Sequence, residues 1–278
     1  MKILKNAEYM TIVTSIKGKL VVRKSTSKKN KKLSENLAKE AIILRHINVK
    51  GRGVTAGLIS TPKFYSFNKI GTNMELSEEF ISGINAKQLT KSKLTKIYSN
   101  VLDYLTICEI PQNITSHIPK VNIYTQHILL LKVLLICLTR HILDLKRVLE
   151  LIRIYFVNIG LTSCPIELTH GDIHADNIII KGNSCYLIDF SNSSFSPKGT
   201  DLAILVKFLY PTFTFKQIIT FINSRIKKDN YNKKIIAIMI YQASYTLAYE
   251  DASTDYYQSS ERFLYNFKEV ILPQLNFD

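Results

Sequence analysis

Leu168-Thr169-His170-Gly171-Asp172-Ile173-His174-Ala175-Asp176-Asn177-Ile178-Ile179-Ile180 decides the reading of this chain, together with Leu187-Ile188-Asp189-Phe190 a short way on. Asp172 stands at the end of a short apolar run and opens a loop. Asn177 follows five residues later, at the start of the β-branched run Ile178–Ile180, and Asp189 stands twelve residues beyond Asn177. Lys181-Gly182-Asn183 reads as the turn of a hairpin that brings Asp189 back alongside Asn177. Apolar residues flank each polar one, so the polar side chains are predicted to sit on short, anchored strands.

The chemistry this set suits is phosphoryl transfer. That reaction asks a protein for positioning and charge neutralisation more than for covalent chemistry. One carboxylate faces an acceptor hydroxyl and takes or orients its proton. A second holds Mg²⁺ against the phosphates, and a neutral oxygen completes the metal shell, because Mg²⁺ prefers hard oxygen donors. An ordered set in a strand–loop–strand context carries far more weight than a lone His-x-Asp.

The set resembles the aminoglycoside phosphotransferase and choline kinase group of small-molecule kinases, distant relatives of the protein kinases. The protein-kinase catalytic loop has Asp and Asn at the same five-residue interval, followed by Asp-Phe-Gly. Here the forms are His170-Gly171-Asp172 and Asp189-Phe190-Ser191, and Gly199-Thr200-Asp201-Leu202-Ala203 also matches the group. The resemblance implies that Asp172 is the catalytic base, that Asn177 and Asp189 hold Mg²⁺, and that Asp201 braces the catalytic loop. It also implies ATP as phosphate donor. His170 reads as a structural hydrogen-bonder, and His174 and Asp176 as loop formers. The likeness follows element order through nearly the whole chain, but its specific motifs lie between Ile166 and Leu205.

Working outward, the first ~80 residues look strand-rich. Tyr9–Ile16 and Lys19–Arg23 are β-branched runs joined at Lys17-Gly18, a hairpin signal. A basic polar stretch runs from Lys24 to Lys32. Then Leu33, Leu37, Ala41, Leu44 and Ile47 share one face of a helix. Gly51-Arg52-Gly53 interrupts, an extended segment starts at Thr61-Pro62, and Asn68–Thr72 reads as a turn before a strand ending near Phe80.

Ser82-Gly83 looks like a joint. Beyond it come helices over Lys91–Ile107 and Ile123–Ile159, the second region long enough for two and closed by Gly160. From Asp201 to Leu272 the chain reads as mostly helical, with a polar loop near Asp251–Ser260. The predicted architecture is therefore α+β, a two-lobed protein-kinase-like fold. Residues 1–81 would form a small β-rich nucleotide-binding lobe, and residues 82–278 a larger helical catalytic and substrate lobe.

The amino-terminal part adds candidate nucleotide contacts. In the group, a strand residue of basic type reaches the ATP phosphates and pairs with a helix Glu. Leu20-Val21-Val22-Arg23-Lys24 ends such a strand, and Glu40 lies in the helix. Arg23 fits the aliphatic-aliphatic-basic pattern and Lys24 the chemical type. Strand alternation turns only one of them inward. Lys5-Asn6-Ala7-Glu8-Tyr9 sits where a glycine-rich phosphate loop would be and has no Gly. Glu79, Phe80 and Ile81 are the candidates for backbone contact with adenine.

The chain of 278 residues carries a net charge of +15, from 37 Lys+Arg against 22 Asp+Glu. Such a field attracts nucleotides, phosphorylated glycans, nucleic acid or an anionic membrane. The enrichment in Lys, Asn and Ile offers a compositional origin for it, so the charge has little weight alone. No zinc-finger spacing or outstanding basic helix appears, and nucleic acid is not expected as a partner. Cys108, Cys137, Cys164 and Cys185 form no CxxC pair and read as reduced thiols. Without a signal-peptide pattern, and with its most apolar stretch, Ile128–Leu138, broken by Lys132, the chain reads as cytoplasmic. That leaves room for peripheral contact with an anionic membrane.

Hints about the acceptor pull two ways. The basic charge favours an anionic small molecule or glycan, whereas Tyr249-Glu250-Asp251 through Asp255-Tyr256-Tyr257 combines acids with aromatics suited to an amine. An alternative to an active enzyme is a kinase-like nucleotide-binding protein without turnover. A protein kinase fits less well, because no Ala-Pro-Glu activation segment is present. Oligomeric state is not legible.

Overall fold

The computed structural model describes residues 2–5, 9–27, 29–50, 59–108, 118–121, 123–140, 142–159, 165–209, 212–229 and 233–275. The predicted breaks at Gly51-Arg52-Gly53 and Gly160, and Cys164, lie outside these residues. The fold is α+β, with a small β-sheet region first and a helical part after it. Contacts divide the chain into two compact units: Met1–Pro119 with His174–Ser194, and Lys120–Ile173 with Phe195–Asp278.

The first unit is built on a sheet in the order β1-β2-β3-β6-β5. Its strands are β1 (Lys2–Lys5), β2 (Met10–Ile16), β3 (Lys19–Ser27), β5 (Phe64–Ile70) and β6 (Asn73–Glu79), all antiparallel. The β2–β3 hairpin turns at Lys17 and Gly18, both at positive φ, a backbone that matches strand twist. β3 outruns its prediction. Lys24 to Ser27 continue the strand because each pairs across to β6, so local polarity yields to a ladder the sequence does not display. The Asn68–Thr72 turn likewise shrinks to Gly71-Thr72, since Asn68 to Ile70 stay paired. β1 was not predicted.

Helix α1 (Lys31–Lys50) packs on this sheet through buried Leu37, Glu40, Ala41, Leu44 and Ile47. Asn30 caps it by accepting the Leu33 amide hydrogen at 3.2 Å.

A smaller sheet in the order β4-β10-β9-β7 completes the unit. It comprises β4 (Ile59–Ser60), β7 (Ile84–Asn85), β9 (Ile178–Lys181) and β10 (Ser184–Leu187). The predicted hairpin is β9–β10, pairing Ile178 with Leu187. Gly83 owes its identity to this sheet. A Cβ there would fall on the Ile180 carbonyl oxygen and lie 2.7 Å from Ile179 Cγ2, so β7 could not reach β9 with a side chain at that position. Helix α2 (Lys91–Ile107) follows.

The second unit is mainly helical. Its helices are α3 (Ile123–Thr139), α4 (Leu145–Ile159), α5 (Thr200–Leu209), α6 (Phe215–Asp229), α7 (Lys234–Tyr249) and α8 (Asp255–Asn266). α7 is central: it touches α3, α4, α5 and α8. Its run Ile235–Tyr241 is buried all round, as expected of a helix apolar on every face. The predicted polar loop over Asp251–Ser260 is shorter in fact, since α8 starts at Asp255, capped by the Thr254 hydroxyl. β8 (Ile166–Thr169) pairs with β11 (Ser194–Pro197). Among the described residues no helix is long and apolar enough to cross a membrane.

Candidate active site

In the first unit a buried charge cluster forms where strand and helix meet. Lys24 Nζ lies 2.7 Å from Glu40 Oε1 and 3.1 Å from Glu78 Oε1. All three residues are buried. The register explains the trio. Lys24 pairs with Leu76 and Val22 with Glu78, so Lys24 and Glu78 are diagonal neighbours on one face of β3–β6. Arg23 points the other way, where its Nε lies 3.8 Å from Glu75 Oε1 and the side chain is 39% exposed. The structure thus brings Lys24, and not Arg23, to Glu40.

Glu40 Oε1 also accepts the Phe190 amide hydrogen at 3.1 Å. This ties α1 to the residue after Asp189. Asp189 has φ +63°, a left-handed turn that costs a non-glycine residue energy and recurs at functional sites. Its Oδ1 accepts the Ser191 amide hydrogen at 3.3 Å. Asn177 is buried, and its carbonyl accepts the Ile188 amide hydrogen at 3.0 Å. Asn177 and Asp189 are therefore held by the root of one hairpin, as the sequence predicts. A neutral amide and a carboxylate are the hard donors that Mg²⁺ takes when phosphates supply other oxygens.

The cluster's electrostatics are lopsided. Burial pulls the Lys24 ammonium down, but Glu40, Glu78 and Asp189 outweigh it and raise its pKa well above the ordinary lysine value. Burial pushes Glu40 up to about 8, with Glu78 and Asp189 adding to the rise and Lys24 opposing it. Oε2 of Glu40 and Oε2 of Glu78 are buried with no hydrogen-bond partner among the described residues. Two carboxylates share one ammonium here, so the cluster holds more negative than positive charge.

Glu78 is the residue that sequence reasoning missed. Its signal was available in two places. Glu40 shares the apolar face of α1, where a carboxylate needs a cation. Alternation along β6 also sets Glu78 opposite in facing to its neighbour Glu79.

The adenine candidates sit at the end of β6. The Glu79 amide donates to the Lys63 carbonyl at 2.9 Å and the Phe80 amide to the Leu20 carbonyl at 3.2 Å. Both amide hydrogens are committed within the unit, and Ile81 is buried. Residues 6–8 of the expected phosphate-covering loop lie outside the described residues. β1 and β2 flank it, with Lys5 paired to Met10.

The loop from His174 to Asn177 is fastened to β7 and the turn that follows it. Lys87 Nζ lies 2.6 Å from Asp176 Oδ1, and Asn85 Nδ2 donates to the Asp176 carbonyl at 3.1 Å. His174 Nδ1 accepts the Asp176 amide hydrogen at 3.3 Å. Both residues are loop formers, in line with the sequence reading.

The second unit holds the other part of the motif. Asp201, at the start of α5, is buried, and its carboxylate accepts the amide hydrogens of His170 at 2.8 Å and Gly171 at 2.9 Å. Gly171 has φ +80°, which a side chain would strain. His170, fully buried, accepts the Asp172 amide hydrogen on Nδ1 at 3.3 Å. The backbone on the amino-terminal side of Asp172 is thus pinned at three successive amides. Burial drives the Asp201 carboxyl up to about 7, its two backbone donors pulling it partly back.

Lys207, two turns along α5, is a second feature the sequence did not flag. Burial lowers its pKa, opposed by the charges of Asp172 and Glu250. Its Nζ lies 3.5 Å from Thr246 Oγ1. Along α7, Tyr241, Tyr245 and Tyr249 form a ladder of rings at 6.1 and 4.7 Å. The side chains of Asp255 and Tyr256 lie outside the described residues.

The strand lysine paired with a helix glutamate and the Asp–Asn hairpin root lie in the first unit, and the braced His-Gly-Asp loop lies in the second. The chain belongs to the phosphotransferase enzyme family, whose model matches residues 5–231. Solved structures agree in fold. A thermostable mutant of aminoglycoside phosphotransferase APH(4)-Ia, in ternary complex with ADP and hygromycin B, aligns with a TM-score of 0.64 at 13% identity, covering 99% of this chain and 93% of that one. Amicoumacin kinase hAmiN, in complex with AMP-PNP, Ca²⁺ and Ami, gives 0.61 at 16% identity, covering 99% and 90%. AMP-bound spectinomycin phosphotransferase APH(9)-Ia gives 0.62 at 15% identity, covering 91% and 87%. A search of curated protein sequences finds no significant match.

Proposed function

We propose that this chain transfers the γ-phosphate of ATP to a hydroxyl of a small molecule or glycan. The observation that carries the reading is the buried Lys24–Glu40 pair, joined through the Phe190 amide to the turn that presents Asp189. Charges are expensive to bury, which supports a functional use for this cation and the nearby Asp189 carboxylate, the two kinds of charge a metal-bound triphosphate would need. Relatives of the same fold bind ADP or AMP-PNP, one of them with Ca²⁺, which supports a nucleotide and a divalent cation here.

In this reading residues 1–81 form the nucleotide-binding lobe and residues 82–278 the catalytic and substrate lobe. Lys24 neutralises phosphate charge, and Glu40 keeps it extended toward that charge. Asp189 and Asn177 would hold Mg²⁺, which when bound would neutralise the phosphates. With the Glu79 and Phe80 amide hydrogens already engaged, Ile81 is the backbone donor left for adenine. Asp172, its backbone fixed by Asp201 and His170, accepts the acceptor's hydroxyl proton as the oxygen attacks. Arg23 takes no part.

Thermal melting with ATP, with and without Mg²⁺, beside Asp189→Asn tests the nucleotide site. At ~100 times its dissociation constant a ligand stabilises by about 2.7 kcal/mol. The shift should need Mg²⁺ and vanish in Asp189→Asn. Asp172→Asn should keep the shift and lose acceptor phosphorylation by roughly 10²–10⁴-fold. A Mg²⁺-dependent shift with no phosphorylation of any hydroxyl compound would favour a nucleotide-binding protein without turnover.

A further inference from the structure

Helices α3 and α4 expose apolar side chains in register. α3 presents Ile128, Leu131 and Leu135, and α4 presents Leu145, Leu149 and Phe156. These fall at i, i+3, i+7 and at i, i+4, i+11, so each set is one stripe. Ile128 is 70% exposed. The stripes adjoin, because His127 of α3 packs against the rings of Tyr155 and Phe156 of α4 at 5.6 and 5.7 Å. A contiguous exposed apolar surface of this kind marks an interaction site.

Its surroundings indicate the partner's charge. Lys132, Lys146 and Arg153 flank the stripes and are exposed, with no ion-pair partner among the described residues. α3 contains no Asp or Glu. The acid of α4, Glu150, is already paired, 2.6 Å from Arg147 and 2.6 Å from Lys268. The whole chain carries +15. A second copy is a poor occupant, since a twofold interface matches a patch to itself and would set this basic flank against its own image.

We propose that the α3–α4 face docks on an anionic lipid bilayer, with the leucine, isoleucine and phenylalanine side chains entering the interface and Lys132, Lys146 and Arg153 on the headgroups. α4 divides its residues as an amphipathic helix does, and such helices bind membranes by apolar burial and by attraction to anionic lipid together, while α3, apolar on most faces, adds apolar area. The inference rests on exposure and charge and does not depend on the proposed reaction.

Vesicle co-sedimentation of the full chain tests it, using phosphatidylglycerol–phosphatidylcholine vesicles and phosphatidylcholine alone. The chain should bind the mixed vesicles and lose binding as salt rises. Leu135→Asp with Leu149→Asp should reduce binding more than tenfold. Reversal of the three basic residues to Glu should reduce it roughly a hundredfold or more, at about fivefold per cation removed. Melting curves and size-exclusion mass measurement accompany each variant. Should the apolar variant misfold, the charge variant decides. Failure of the wild type to bind either vesicle, equal binding to both, or undiminished binding by the variants would each overturn the proposal. So would a wild-type dimer that the apolar variant splits, which would assign the face to a second copy.

Discussion

Glu40 and Asp201 are both buried carboxylates, and they are held by different means. Glu40 faces an ammonium, with a second carboxylate competing for the same cation. Asp201 faces two backbone amides. The first arrangement places charge beside Asp189, whose carboxylate also acts on Lys24 and Glu40. The second spends a carboxylate on fixing backbone, so it sets geometry. Coulombic partners are strong but costly to strand, whereas amide donors are modest and directional. The two carboxylates should therefore fail differently when disturbed.

The largest effect expected is that of Lys24→Met. It leaves Glu40 and Glu78 without their cation, and breaking a buried pair costs about 3–5 kcal/mol. Urea unfolding measures this, and a loss below ~1 kcal/mol would show that the Lys24 cation is not needed to hold the cluster together. Melting shifts with Mg²⁺–ATP should weaken as well. Asp201→Ala comes next. It strands the amide hydrogens of buried His170 and half-buried Gly171, at up to about 1–3 kcal/mol each before relaxation. Here the nucleotide-induced shift should survive while phosphorylation falls, because only the Asp172 backbone is released. Equal loss of both would erase the distinction between the two carboxylates.

A smaller effect appears with pH. The folded-state pKa of Asp201 is raised to about 7, against an ordinary value of about 3.9. The folded chain thus binds this proton more tightly than the unfolded chain. The resulting stability is fully present below about pH 4 and is lost as pH rises through about 7. The wild type should lose stability relative to Asp201→Asn over that window, and parallel profiles would contradict the assignment. The smallest effect is that of Arg23→Ala. Its loose, exposed pair with Glu75 should contribute no more than about 0.5 kcal/mol, and Mg²⁺–ATP binding should be unchanged. A loss as large as that of Lys24→Met would reverse the facing of β3.

Much of the fold was legible. α2 begins and ends at the predicted residues, and the β9–β10 hairpin follows its turn signal, because both are governed by local periodicity and turn chemistry. β3 beyond Arg23 and the entry to α8 were misread for a shared reason. Pairing to β6 and capping by Thr254 override the polarity of Lys24–Ser27 and of Asp255–Ser260.

The sequence by itself determined the family, the hairpin that carries Asn177 and Asp189, and the order of elements, because these depend on residue type at short spacing. Tertiary structure alone chose Lys24 over Arg23 and brought in Glu78. Those outcomes depend on which face of β3 meets α1 and on the β3–β6 register, which pairs residues 46 to 58 positions apart (Ser27 with Asn73, Val21 with Glu79).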